Sequence, residues 1–267
     1  MLKLETIQDS LQTPIIEVDE LTARFGDNTI FEGVSFQVNR GEILVILGGS
    51  GCGKSTLLKH MVGLIQPAGG KVILSGIDMR TDAAEELRLV KMGMGVLFQS
   101  GALFGSMTLA ENVGLPLQEY TDLSPREIQD IVKMKLALVN LAGYENHLPE
   151  EISGGMKKRA GLARAMALDP HVLFFDEPSA GLDPISAAEL DILIKSINAG
   201  LGTTMVVVTH ELESISSIAH RIIMLDKNAR GIIAQGDPRE LKDHSPDPRV
   251  ADFFNRRPGT GHQPKRN

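Results

Sequence analysis

A single cysteine, Cys52, stands in a chain of 267 residues, so no internal disulfide framework can hold it together. No apolar run approaches the ~20 residues that a membrane span requires. Residues 1–10 carry no secretory-signal pattern, because Glu5 and Asp9 interrupt any apolar stretch. These absences predict a soluble, cytoplasmic protein. Positive charge is also scarce: 27 Lys and Arg stand against 34 Asp and Glu, a formal net charge of −7. A non-specific nucleic-acid binder is ordinarily basic, so the balance argues against one. There is no internal repeat, no low-complexity segment and no metal-ligand spacing among the 7 His. What is present, 42% hydrophobic residues over this length, suffices for one large core or two closely packed subdomains.

The chain is organised around residues 48–56, GGSGCGKST. An apolar run, residues 43–47, precedes this stretch, and an apolar-periodic segment, residues 57–65, follows it. The order is strand, glycine-rich loop, helix. Gly48 and Gly53 are the fixed glycines of a phosphate cradle, with Lys54 and Ser55 after them. Glycines let successive backbone N–H groups turn onto phosphates with no Cβ in the way. Gly49, Ser50, Gly51 and Cys52 complete the loop, Cys52 as a small tolerated side chain rather than a redox thiol. The helix that takes up Thr56 adds its positive N-terminal end. Lys54 would reach the β- and γ-phosphates of a nucleotide, and the Ser55 hydroxyl would sit on Mg²⁺.

Upstream, residues 15–18 and 21–25 read as two strands, and Val34, Phe36 and Val38 alternate with polar residues as a third. They predict a small antiparallel sheet. Phe25 at its rim would either stack on a nucleotide base or fill the core. Residues 94–98 form an apolar run ending in Gln99, an amide suited to a metal–water–phosphate cluster. The middle of the chain turns helical, over residues 108–115 and 124–141, with Ser124 as N-cap, Pro125 at the first helical position and Gly143 closing the second helix. Ser153, Gly154 and Gly155 open another helix and form a second anion site. The basic cluster behind them, Lys157, Lys158, Arg159 and Arg164, reads as a solvated helix face.

Residues 172–175 are a buried strand ending in Asp176 and Glu177. Acids at the carboxyl end of such a strand lie where α/β sheets bind ligands. Asp176 would hold Mg²⁺ through water, and Glu177 would orient or deprotonate the attacking water. The apolar strand at residues 204–208 leads to His210, placed for a γ-phosphate contact. In the tail, Asp237 with Pro238 and Asp247 with Pro248 each signal a short helix. Val250, Phe253 and Phe254 form one apolar stripe, which packs either on this chain's own core or on another copy. Residues 256–267, rich in Pro, Gly and basic side chains, read as mobile unless a partner orders them.

This order of motifs resembles the nucleotide-binding domain of ABC transporters over residues 15–236. The resemblance implies an α/β fold: a P-loop, RecA-like core, a small N-terminal antiparallel β-subdomain, and a helical subdomain inserted at about residues 101–168, followed by a tail at 237–267. It implies an ATPase with ATP and Mg²⁺. Residues 48–56 take the place of the Walker A loop, Gln99 of the Q-loop residue, and residues 172–177 of Walker B and the catalytic Glu. His210 takes the place of the switch His, and Phe25 that of the base-stacking aromatic. Residues 152–156 resemble the LSGGQ signature, with Ile152 for Leu and Met156 for Gln.

A narrower resemblance, to the ATPases of MCE-associated lipid transporters such as the Mla phospholipid system, rests on LFQSGALF (97–104), on SGGM before basic residues, and on SPDPRV (245–250). In that family Met often closes the signature. It implies a homodimer on the cytoplasmic face of the inner membrane, bound to an MlaE-like permease, with an MCE-domain protein, a STAS-domain regulator and no nucleic acid. Phospholipid would move between inner and outer membranes. An ABC importer of a small polar solute would share every catalytic residue. A non-transport ABC protein acting on DNA or ribosomes would bring tandem cassettes, a coiled-coil insertion or a basic surface, none of which is here.

Overall fold

A computed structural model describes residues 14–256; the expectations for the first residues and for the Pro/Gly-rich end past Arg256 lie outside them. Two sheets make the frame. The first is antiparallel, in the order β2-β1-β4-β5, from β1 (Pro14–Phe25), β2 (Asn28–Asn39), β4 (Gly69–Leu74) and β5 (Ile77–Asp78). The second runs β10-β9-β3-β8-β7-β6, from β3 (Ile43–Gly48), β6 (Met94–Leu97), β7 (Val172–Asp176), β8 (Thr204–Val208), β9 (Arg221–Asp226) and β10 (Gly231–Gly236). All its pairs are parallel except β10 with β9.

The parallel strands are apolar at nearly every position because both faces are covered. Ile43, Val45 and Leu47 of β3 point into one hydrophobic cluster, and Leu44 and Ile46 into the other. β7 divides likewise, Leu173 and Phe175 one way, Val172 and Phe174 the other. The second cluster is closed by β1, β2, β4 and helix α1 (Lys54–Met61). Helix α2 (Ala84–Gly93) contributes Val90 to it.

The first cluster is closed by the helices between β6 and β7: α3 (Leu109–Tyr120), α4 (Pro125–Leu138) and α5 (Gly154–Ala165). It also takes side chains from α6 (Pro184–Leu201), α7 (Leu212–Ile218), and the tail helices α8 (Pro238–His244) and α9 (Pro248–Phe254). Among the described residues no helix is long and apolar enough to cross a membrane.

Local chemistry explains the element ends. Ser124 caps α4 with Pro125 at its start, and its hydroxyl accepts from Glu127 N–H while the Glu127 carboxylate accepts from Ser124 N–H. Asp237 and Asp247 cap the two tail helices, each with Pro at the first position.

Three sequence expectations change. The two N-terminal strands are one, β1, bent where its register with β2 shifts between Val18 and Leu21, with Glu20 at φ 48°. α4 ends at Leu138, and Asn140 (φ 59°) makes the left-handed turn that Gly143 was expected to supply. The basic cluster of α5 is not a solvated face: Lys158 is 6% exposed, and Arg164 is half-buried. The apolar stripe of the tail packs on its own chain, with Val250 and Phe254 buried in the first cluster and Phe253 against it.

Candidate active site

The carboxyl ends of β3, β6, β7 and β8 open onto one cleft of about 1390 Å³. Its floor is the glycine loop. At Gly48 (φ 147°) a Cβ would fall 2.3 Å from the Leu225 carbonyl oxygen and 2.7 Å from Cys52 Sγ. At Gly53 (φ 101°), the N-cap of α1, it would fall 2.7 Å from Ile30 Cγ2. Both glycines are therefore required by backbone sign and by space. Gly49 and Gly51 have nothing within 4 Å of a built Cβ, so the cradle is open on its ligand side. Cys52 is buried behind the loop, and burial pushes its thiol above the ordinary range.

Lys54 Nζ donates to the carbonyls of Gly48 (2.9 Å) and Gly49 (3.2 Å), folded back over the loop. Ser55 Oγ donates to Asp176 Oδ1 at 3.0 Å, tying α1 to the end of β7. Glu177 follows with φ 49°, a left-handed conformation unusual for a residue with a side chain. Its N–H donates to the Val208 carbonyl at 2.9 Å, so the chain turns while still anchored to β8. Its side chain is 13% exposed, and His210 Nδ1 stands 3.0 Å from Oε1 and 2.9 Å from Oε2. The hydrogen bond goes to Oε1; Oε2 is buried with no donor of good geometry.

The cleft gathers Gly48, Gly49, Ser50, Gly51, Gly53, Lys54, Ser55, Thr56, Gln99, Glu177 and His210, residues that lie up to 162 positions apart in sequence. Asp176 joins through Ser55. Three expected groups are not brought in. Phe25 stands 49% exposed at the rim of β1 and does not line the cleft, where Ile30 does. Cys52 faces the core. Ser153, Gly154 and Gly155 lie outside it; Ser153 caps α5, its hydroxyl accepting from Met156 N–H at 3.3 Å.

Sequence reasoning missed two contributors. The tail reaches the far wall through Phe253 and Arg256. Lys158 lies beneath the cleft, donating to the Gln99 carbonyl and, at 3.3 Å, to the Glu177 carbonyl. No spacing rule could have separated it from Lys157 beside it.

The arrangement fits a nucleoside triphosphate with a divalent cation. The loop offers N–H groups, a helix N-terminus and a lysine that is in no ion pair among the described residues, the chemistry a polyphosphate needs. Ser55 and Asp176 offer hard oxygen donors. Among the described residues no group of three or more His, Cys, Asp or Glu is built to hold a metal, so a cation here would depend on phosphate oxygens for the rest of its shell.

Residues 31–180 match the family described as ABC transporter. The chain is 46% identical over 91% of its length to the "Probable ribonucleotide transport ATP-binding protein mkl" of Mycobacterium bovis, covering 67% of that protein. It is 43% identical over 90% of its length to the "Intermembrane phospholipid transport system ATP-binding protein MlaF" of Haemophilus influenzae, covering 90% of that protein. Among solved structures, the dimeric post-hydrolysis state of the ATP-binding cassette MJ0796, bound to ADP and Pi, superposes with a TM-score of 0.75 at 29% identity, over 83% of this chain and 98% of that one.

Proposed function

This chain belongs to the ABC transporter family, and we propose that it is the ATP-hydrolysing subunit of a complex that moves phospholipid between the inner and outer membranes of a bacterium. The nucleotide half of the reading is carried by the cleft, where an open glycine cradle and a lysine in no ion pair among the described residues share one space with the Glu177 carboxylate. The lipid half is supported by relatives named for intermembrane phospholipid transport, matched over nearly their whole length. It is also supported by residues 97–104, by Met156 and by residues 245–250.

In this reading the residues divide the work. Lys54 leaves the Gly48 and Gly49 carbonyls for the β- and γ-phosphates, and the loop N–H groups take the remaining negative charge. Ser55 would hold Mg²⁺ directly, Asp176 through water, with Gln99 alongside; the ion supplies charge neutralisation at the phosphates. Glu177, whose side chain lines the cleft, orients or deprotonates the attacking water. His210 steadies that carboxylate from the solvent side and lies within reach of a γ-phosphate.

Ser153, Gly154 and Gly155 act on a second copy. A γ-phosphate needs donors all round and exclusion of water, and one chain leaves the cleft open. A head-to-tail dimer would bring this helix start onto the partner's nucleotide, in line with the dimeric MJ0796 cassette. The segment after Gln99, with Phe104 51% exposed, would meet an MlaE-like permease. An MCE-domain protein and a STAS-domain regulator complete the expected complex, which holds this chain on the cytoplasmic face of the inner membrane.

The name of the mycobacterial relatives favours a second reading, a nucleotide importer. The two are separated by reconstituting the chain with an MlaE-like permease. ATP-dependent transfer of labelled phospholipid to acceptor vesicles, lost with Lys54→Ala, is the expected result. ATP-dependent uptake of labelled ribonucleotide with no lipid transfer would replace the proposal with the importer.

A further inference from the structure

One face of α5 grips the backbone that follows β6. Lys158 donates to the Gln99 carbonyl. Arg164 donates to the carbonyls of Ala102 (2.7 Å) and Gly101 (3.1 Å). Between them sits Gly161, where a Cβ would come 2.9 Å from the Gly101 oxygen and 2.8 Å from Leu97 Cδ1. Residues 158, 161 and 164 succeed one another at helical spacing, so a single stripe fastens residues 99–102 to the helix. Any displacement of α5 must carry this segment with it.

Lys158 differs from the other two because its ammonium also reaches the Glu177 carbonyl, at 3.3 Å. It therefore joins the main chain of two residues whose side chains line the cleft from different strands. Main-chain position sets side-chain position here: Gln99 follows the end of β6, and Glu177 sits in a left-handed turn that holds its carboxylate toward His210. Burial is the dominant influence on Lys158 and pulls its pKa below the usual lysine value, opposed by the nearby charges of Asp176 and Glu177. The cation is kept in a costly place, and the two acids nearest to it belong to the site.

Resting on the ATPase reading above, we propose that Lys158 is a positioning residue for hydrolysis: by joining the Gln99 and Glu177 carbonyls, it makes the alignment of the attacking water depend on where α5 stands. The helix that begins at Ser153 would then report the fit of the partner's nucleotide to this chain's own Glu177. No contact of Lys158 with substrate is implied.

The test is Lys158→Met in the assembled complex, with Lys54→Ala as control. Methionine keeps the length and removes both donors, and release of the desolvated ammonium offsets part of what the two carbonyls lose. Single-turnover hydrolysis is measured alongside binding of a fluorescent ATP analogue and the thermal midpoint. The expected result is a kcat lower by about ten- to a hundredfold, with analogue affinity and midpoint close to wild type. Wild-type kcat overturns the proposal. So does an equal fall in kcat, affinity and midpoint, which would make Lys158 merely structural. If the Met variant does not fold, Lys158→Gln, which is too short to span both carbonyls, is read by the same criteria. Loss of turnover in Lys54→Ala with no effect at Lys158 sinks this inference alone; wild-type turnover in Lys54→Ala sinks the site.

Discussion

At the scale of the residue, Glu177 carries the sharpest prediction. Glu177→Gln keeps the shape and can still meet His210, but it cannot take a proton. Turnover is expected to fall by about 10²–10⁴-fold while the ATP analogue still binds, and an ATP-bound dimer should accumulate on size-exclusion chromatography. Rapid hydrolysis by this variant would leave Glu177 a structural acid. A second residue sets part of the pH limit of the fold. His60 is 3% exposed; its Nδ1 meets the Ile65 carbonyl at 2.8 Å, and its Nε2 has no partner among the described residues. Burial holds its pKa below the ordinary histidine value of 6.5. A histidine shifted down is protonated more readily in the unfolded chain. Its contribution to stability is therefore complete above 6.5 and is lost as the pH falls toward the folded value. His60→Leu, which forfeits about 1 kcal/mol of hydrogen bond, should lower the melting midpoint at pH 7.5 yet flatten its decline toward pH 5.5. An unchanged decline would place the acid sensitivity elsewhere.

At the scale of the element, the tail is the clearest case. Phe254 is 8% exposed in the main cluster, edge-on to Phe253 with ring centroids 5.8 Å apart. Arg249 ties the same helix to Asp226 at the end of β9, at 2.7 Å. Phe254→Ala should therefore cost about 3–5 kcal/mol in urea unfolding, and deletion from Asp247 onward should expose the core as well as alter the far wall of the cleft. A truncated chain with unchanged stability would show that α9 is not part of the core.

The elements were legible wherever local chemistry sets them: Ser124 with Pro125, Asp247 with Pro248, the apolar runs of the parallel sheet, the loop before Lys54. They were illegible where a distant element decides. The break expected at Asp19 and Glu20 is a bend within one strand, held against β4 where Gly70 leaves no room for a Cβ beside the Glu20 carbonyl, at 2.3 Å. The four basic residues of α5 look alike in sequence, and only the approach of residues 99–102 buries Lys158 and leaves its neighbours partly exposed.

At the scale of the whole molecule, the cleft gathers residues from four strand ends yet leaves Ser153, Gly154 and Gly155 outside it. That division between two anion-binding elements predicts a site completed across two chains. A chain bearing Lys54→Ala has a disabled loop and an intact helix start. One bearing Ser153→Arg has the reverse, its anion pocket filled by bulk. Each variant alone should be inactive, since every site in its own dimer lacks one half. Mixed and allowed to exchange, they form dimers in which one site loses both halves and the other keeps both. With random pairing, about half of the dimers are mixed and one of their two sites is whole, so turnover should recover toward about a quarter of wild type if sites act independently. Recovery well below that, with mixed dimers confirmed by differential tags, would mean that hydrolysis at one site needs the other, the dependence that a rigid α5 linked to Glu177 through Lys158 would create. No recovery at all, in mixed dimers that still bind nucleotide, would remove the head-to-tail arrangement.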